Sequence, residues 1–378
     1  MTNNNQFNNS PRVSSLDVLR SIAILLVIVF HYQVFVSHQN NFGVFSQVGW
    51  IGVDLFFVLS GYLISNQIFF SLKQENFSLK KFYIKRFFKT LPNYYFVLAL
   101  YLLIPCFAEL PLSEPSWKYL FFIQNFNLPP GGFSQSWSLC VEEQFYLIFP
   151  FAAIWLCRKN HRIFITFAAI VIFGILLRAI LWQYLYQHNI LLKAFTKTIY
   201  YPTYCRLDGF IAGISVAYLQ NYSSAIWQRL IKHGNLFFLL GLIMLIGFIT
   251  ICFKRTSFLS ATLVFPGLAL SFALIVFSAL SPDSFLTKIH FSAFGQLARW
   301  SYAIYLLQKP ISVLCATFFT HIGLNNNSYL VIFINIAIQI LVGCLMFYCI
   351  ENKFMQLRDK FLYRSRPILK VDESVEAV

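Results

Sequence analysis

Ten apolar stretches, most of them about 20 residues long, run through this chain at roughly 16–36, 49–70, 91–108, 139–157, 163–181, 207–219, 235–253, 261–280, 300–320 and 329–350. Stretches of that length and polarity bury their backbone polar groups only as helices when they cross a bilayer. The composition agrees: 58% of the 378 residues are hydrophobic and 11% are charged, against about 25% charged in water-soluble domains. The expected fold class is therefore an all-α membrane protein of about ten transmembrane helices. The sixth stretch, with only 13 residues before its polar end, needs help from Tyr200–Arg206 to cross.

The formal net charge of +15 would suit a nucleic-acid partner if it were clustered on a soluble surface. Here it sorts by loop. Most of the 29 Lys and Arg fall in one alternate set of connections, together with both ends of the chain. By the positive-inside rule both termini are cytoplasmic, which requires an even number of spans. No nucleic-acid partner is expected; the bilayer is the first partner.

Three segments follow. Residues 1–15 form an Asn-rich tail that buries too little apolar surface to fold, 16–350 form the membrane domain, and 351–378 form a basic cytoplasmic tail. The eight cysteines lie in or beside apolar stretches without metal-site spacing, so no metal is expected. A Cys106–Cys205 bridge outside the membrane remains open.

Ionisable residues inside a bilayer are costly, and so they are functional suspects. The first stretch carries Arg20 and His31, eleven residues or about three helical turns apart, so both side chains share one face about 16 Å apart along the axis. Asp54 on the second stretch, and Glu142 and Glu143 on the fourth, lie at a depth comparable with His31. A His and three carboxylates at one level suit acid-base chemistry. The loop Lys80–Lys89 interleaves Lys80, Lys81, Lys85, Arg86 and Lys89 with aromatic residues, as a basic amphipathic surface helix or a phosphate clamp would.

These motifs together resemble the acyltransferase-3 family of integral-membrane sugar O-acyltransferases, over about Ser15 to Glu351. The resemblance rests on Arg20-x10-His31, on the run Gly52-Val53-Asp54-Leu55-Phe56-Phe57-Val58-Leu59-Ser60-Gly61, and on Trp137-Ser138-Leu139 followed by Glu142-Glu143-Gln144-Phe145-Tyr146. Arg206-Leu207-Asp208-Gly209 and Ser301-Tyr302-Ala303-Ile304-Tyr305-Leu306 support it. It implies transfer of an acyl group, usually acetyl, from cytoplasmic acyl-CoA to a hydroxyl of a surface glycan or its lipid-linked precursor, with lipopolysaccharide O-antigen or exopolysaccharide as the expected acceptor. The location implied is the bacterial inner membrane.

On that resemblance Arg86 and Lys89, with Lys85 beside them, hold the CoA phosphates. Arg20 lies on the path of the thioester arm, and His31, oriented by Asp54 or Glu143, acts as general base. Trp137, Ser138, Glu142, Tyr305 and an Arg206/Asp208 pair bind the acceptor. Three positions depart from the family pattern: Lys89 stands where Arg is usual, Gln308 where His is frequent, and Lys353 where Pro is usual. The chain ends 28 residues after the last stretch, too short for the hydrolase-like domain fused to some relatives, so direct acylation or hand-over to a separate protein is expected. The competing class is a proton-coupled transporter or flippase using the same His/Asp/Glu set.

Overall fold

The structure, a computed structural model, describes residues 14–104, 107, 112, 114–129, 131–158, 163–251, 255–289 and 291–363. All ten apolar stretches fall on helices: α1 (Ser14–Tyr32), α2 (Ile51–Lys73), α3 (Leu79–Leu103), α4 (Trp137–Arg158), α5 (Ile163–Gln187), α6 (Asp208–Tyr222), α7 (Gly234–Ile251), α8 (Phe265–Leu280), α9 (Ser292–His321) and α10 (Tyr329–Met346). A further helix, α11 (Asn352–Tyr363), continues α10 through a π-helical turn, Phe347–Glu351. Among the described residues there is no β-strand, and eight helices are long and apolar enough to cross a membrane. The other two differ for legible reasons. Helix α3 carries Lys80, Lys81, Lys85, Arg86 and Lys89 in its first half, and α6 has only 15 residues.

The short α6 is embedded in the bundle, with no exposed residue along its length. It lies against α2, and the two backbones approach so closely that a Cβ at Gly61 would stand 2.6 Å from the Phe210 carbonyl oxygen, and one at Gly209 would stand 2.8 Å from Phe57 Cβ. Small residues at a crossing permit this packing, which replaces a missing hydrophobic driving force between helices in lipid. The help expected from Tyr200–Arg206 comes as irregular backbone, a π-turn at Thr196–Tyr200 and a 3-10 turn at Thr203–Cys205. Such backbone is tolerated at depth where protein surrounds it.

Helix α1 packs between α2 and α9, and α9 packs along α10. Gly52 lets α2 close onto the Ala23 carbonyl of α1, and Gly343 lets α10 close onto Ile304 of α9. The three helices bearing His31, Asp54 and Tyr305 are thereby fixed relative to one another. Helix α11 folds back on α3, with Phe354 and Phe361 against Phe88, so the first part of the expected basic tail is packed helix. Residues 1–13 of the expected Asn-rich tail, 364–378 of the basic tail, and Cys106 lie outside the described residues. Cys205 is buried with a free thiol.

Candidate active site

Two cavities meet inside the bundle. The first, about 120 Å³, is lined by the cations Arg20 of α1, Arg86 and Lys89 of α3 and Arg299 of α9, with the carboxylates Glu142 of α4 and Glu351. The second, about 250 Å³, is lined by His31 and by the rings of Trp50, Trp137, Tyr200 and Tyr201, with Arg255. Val53 and Tyr305 line both, and so form the partition between them.

The basic cavity follows from how α3 starts. Ser78 caps the helix, its hydroxyl accepting from the Lys81 backbone N–H at 3.4 Å, and Arg86 and Lys89 then fall one turn apart on the same face. Lys85 does not reach the cavity wall. The Arg86 guanidinium stands 5.8 Å from the Tyr146 ring centroid, and its Nε is buried without a partner. Lys89 precedes the apolar part of α3; burial, then the charges of Arg86 and Arg20, hold its ammonium below the ordinary lysine range. Opposite them, Glu142 accepts from Tyr146 at 3.0 Å and from Ser60 at 3.3 Å, and Glu351 accepts from Asn93 at 2.7 Å. Four cations against two carboxylates, with an orphaned guanidinium nitrogen, are the donor set that phosphate oxygens fit.

In the aromatic cavity, Trp137 stacks on Tyr201 with centroids 5.2 Å apart and planes at 23°, and Tyr200 stands 5.0 Å away. Flat aromatic faces of this kind suit the C–H face of a sugar ring. The Tyr305 phenol donates to the Gln135 carbonyl at 2.9 Å, so at 2.5 Å it accepts from the Ser138 hydroxyl. That pair of bonds fixes the partition.

His31 is not oriented by a carboxylate. Its Nδ1 meets the side-chain amide of Gln308. The Gln308 Oε1 is buried with no partner, and a half-turn of the amide exchanges its oxygen and nitrogen. Turned so that Oε1 accepts from Nδ1–H, the amide leaves the Nε2 lone pair of His31 as the basic one. Next to it, the Lys309 ammonium bonds to the Gly132 carbonyl at 2.9 Å and to Ser134 Oγ at 3.2 Å, over the Phe35 ring. Gly132 turns the chain there with φ +43°, a conformation that suits glycine. This lysine pins to α9 the loop that supplies Gln135.

The expected partners of His31 are engaged elsewhere. Asp54 accepts from Arg206 Nη2 at 2.9 Å, and Glu143 sits beside Thr90 and Arg86. Shared depth set their level but not their direction around the helix. The expected Arg206/Asp208 pair is also divided. Asp208 takes a two-pronged bond from Arg178, at 2.7 and 3.2 Å, and Arg206 turns the other way to Asp54. The Arg206 guanidinium lies 4.1 Å from the Phe265 centroid, 4.8 Å from Tyr200 and 5.3 Å from Trp137. It therefore backs the rings of the aromatic cavity instead of lining it. Ser138 and Glu142 line the basic cavity, not the aromatic one, whereas Trp137 lines the aromatic one.

Arg299, Glu351, Ser60 and Gln308 carry the site without having been singled out for it. Each had a signal: a polar side chain within or at the end of an apolar stretch.

The fold and the two cavities define a multi-helical membrane bundle in which a cavity suited to phosphate backs onto a cavity that holds a histidine. The sequence matches the acyltransferase-3 family model, described as an acyltransferase domain, over residues 13–349, and the chain belongs to this family. It is 27% identical over 400 residues to the "Peptidoglycan O-acetyltransferase OatA" of Listeria monocytogenes, covering 95% of this chain and 60% of the relative. It is 25% identical to the "Putative peptidoglycan O-acetyltransferase YrhL" of Bacillus subtilis, over 88% of this chain and 53% of the relative. An "Uncharacterized protein" of Haemophilus influenzae is 28% identical over 57% of this chain and 93% of its own length. The chain thus spans little more than half the length of the first two relatives. No solved structure matches it.

Proposed function

We propose that this chain is a membrane-bound O-acetyltransferase that moves an acetyl group from cytoplasmic acyl-CoA to a hydroxyl of a surface glycan. The observation that carries the reading is the shared partition: Val53 and Tyr305 are the wall of both the four-cation cavity and the His31 cavity. With the Lys/Arg-rich connections in the cytoplasm, the basic cavity faces inward and the aromatic cavity outward. Arg20, Arg86, Lys89 and Arg299 hold the donor's phosphates, and the thioester arm extends toward Tyr305. His31 Nε2 takes the proton of the acceptor hydroxyl, whose oxygen attacks the thioester carbonyl; the C–S bond breaks and free thiol leaves with the proton. Gln308 holds the imidazole in the tautomer that this step needs.

The names of the relatives favour a peptidoglycan-type acceptor over O-antigen or exopolysaccharide. The geometry weighs against a proton relay, because Asp54 is turned to Arg206 and His31 to Gln308, so the two are not hydrogen-bonded to each other. The test is mass spectrometry of the surface glycans from matched cells with the wild-type chain, with His31→Ala, or with neither. A base-labile acetyl increment present only with the wild type is expected. The same increment with an inserted His31→Ala protein would overturn the reading.

A further inference from the structure

The positive-inside rule disfavours Lys and Arg in short outer connections, yet two such connections are basic. Residues 182–206 hold Lys193, Lys197 and Arg206, residues 254–260 hold Lys254 and Arg255, and neither segment contains a single Asp or Glu. Arg206 is consumed by Asp54. Arg255 is different: its exposed side chain lines the aromatic cavity that contains His31.

The Arg255 guanidinium lies 5.4 Å from the Phe30 ring centroid and 5.9 Å from that of Trp50. Ring faces hold it in place without using its in-plane N–H groups. Among the described residues it forms no ion pair, and no Asp or Glu lines this cavity. A neutral sugar needs no such charge. A guanidinium braced by rings, with its N–H fork turned to no carboxylate, suits a planar or tetrahedral oxyanion.

We propose that Arg255 reads an anionic group on the acceptor glycan, a sugar carboxylate or the phosphate of a lipid-linked precursor, so that the aromatic cavity selects acidic acceptors over neutral ones. The proposal rests on the assignment of this cavity to the acceptor. Rings supply the stacking surface, His31 the base, and Arg255 the selection.

The test uses the full chain in lipid nanodiscs, with tryptophan fluorescence reporting acceptor binding at the Trp50 and Trp137 wall, and acetyl transfer followed in the same samples. Three probes are compared: a disaccharide carrying a carboxylate, the same disaccharide with the carboxylate reduced to an alcohol, and a lipid-linked pyrophosphoryl disaccharide. One or both anionic probes should bind roughly tenfold or more tighter than the neutral one at low salt, a charge-assisted hydrogen bond's worth. Which of them does so names the source of the anion. Arg255→Gln should erase the preference, bringing the affinities of the anionic and neutral probes together, and Arg255→Lys should restore part of it. Equal binding of charged and neutral probes by the wild type, or no binding of any, overturns the proposal. Charge-selective binding without acetyl transfer would keep Arg255's role and overturn the transferase reading instead.

Discussion

The two cavities share a wall and almost nothing else. The basic one offers charge: cations from α1, α3 and α9 converge on a space where Arg86 has a nitrogen left over. The aromatic one presents surface, with Trp137, Tyr200 and Tyr201 as rings, the supporting Arg206 kept behind them and one cation, Arg255, on its wall. On the proposed reading, the contrast teaches how one bundle serves two unlike substrates. Phosphate is held by point charges that work at a wet cytoplasmic edge, while a sugar needs flat apolar faces and directional hydroxyl partners. The partition at Tyr305 is where the two chemistries have to meet.

The largest expected effect separates chemistry from binding. His31→Ala should lower kcat by about 10²–10⁴-fold, the range for loss of a general base, while donor binding at the basic cavity stays unchanged. Donor titration and turnover on the same purified protein measure both. A loss of donor affinity equal to the loss of rate would mean that the two cavities are not separate.

A stability experiment comes next. Asp54→Asn leaves the Arg206 guanidinium buried without its carboxylate, and breaking such a pair costs about 3–5 kcal/mol. Thermal unfolding in detergent should show a markedly lower Tm for Asp54→Asn. The double replacement Asp54→Asn with Arg206→Met should recover part of it, because no charge is then stranded. If Asp54→Asn kept full stability and lost only turnover, Asp54 would belong to the chemistry, as its depth in the sequence suggested.

Smaller and reciprocal effects follow from the division of labour. Arg86→Ala should raise the donor KM roughly tenfold and leave the acceptor KM unchanged, and Trp137→Ala should do the reverse by roughly three- to tenfold. Initial rates at varied donor and acceptor concentrations give all four constants. Either variant shifting both KM values equally would remove the distinction between the cavities.

How much of this the sequence made legible depends on the kind of information needed. Hydropathy gave the helices, since a 20-residue apolar stretch has few alternatives, and counting along a helix gave depth, so that Arg20 and His31 fall at different levels of one face. Direction around the bundle was not available. Asp54 and Asp208 were each assigned the wrong neighbour because their true partners, Arg206 and Arg178, are selected by the irregular turns at Thr196–Cys205 and by the close approach of α2 and α6. Gln308 was noted from the sequence only as standing where His is frequent. The structure places its amide against His31 Nδ1, and on the proposed reading it holds that ring in a single tautomer, a task an amide performs as well as an imidazole.

The finest test lies in the basic cavity, at Lys89, one of the three positions where the sequence departs from the pattern it resembles. Lys89 is held below the ordinary lysine range by burial and by the charges of Arg86 and Arg20, so at a pH between its depressed and its ordinary value it is partly neutral. A phosphate group in the cavity favours the ammonium and raises that pKa. Donor binding should therefore take up a fraction of a proton in that window, and none well below it, where Lys89 is already charged. Calorimetric titration of CoA into the full chain, in two buffers of different ionisation enthalpy, reads this number directly. Lys89→Arg restores the family's residue, whose charge does not titrate in the range; it should bind CoA with no proton uptake. Uptake that persists in Lys89→Arg would assign the proton to a carboxylate of the same cavity, Glu142 or Glu351, and would make that cavity's acids, not its lysine, the groups that sense the donor.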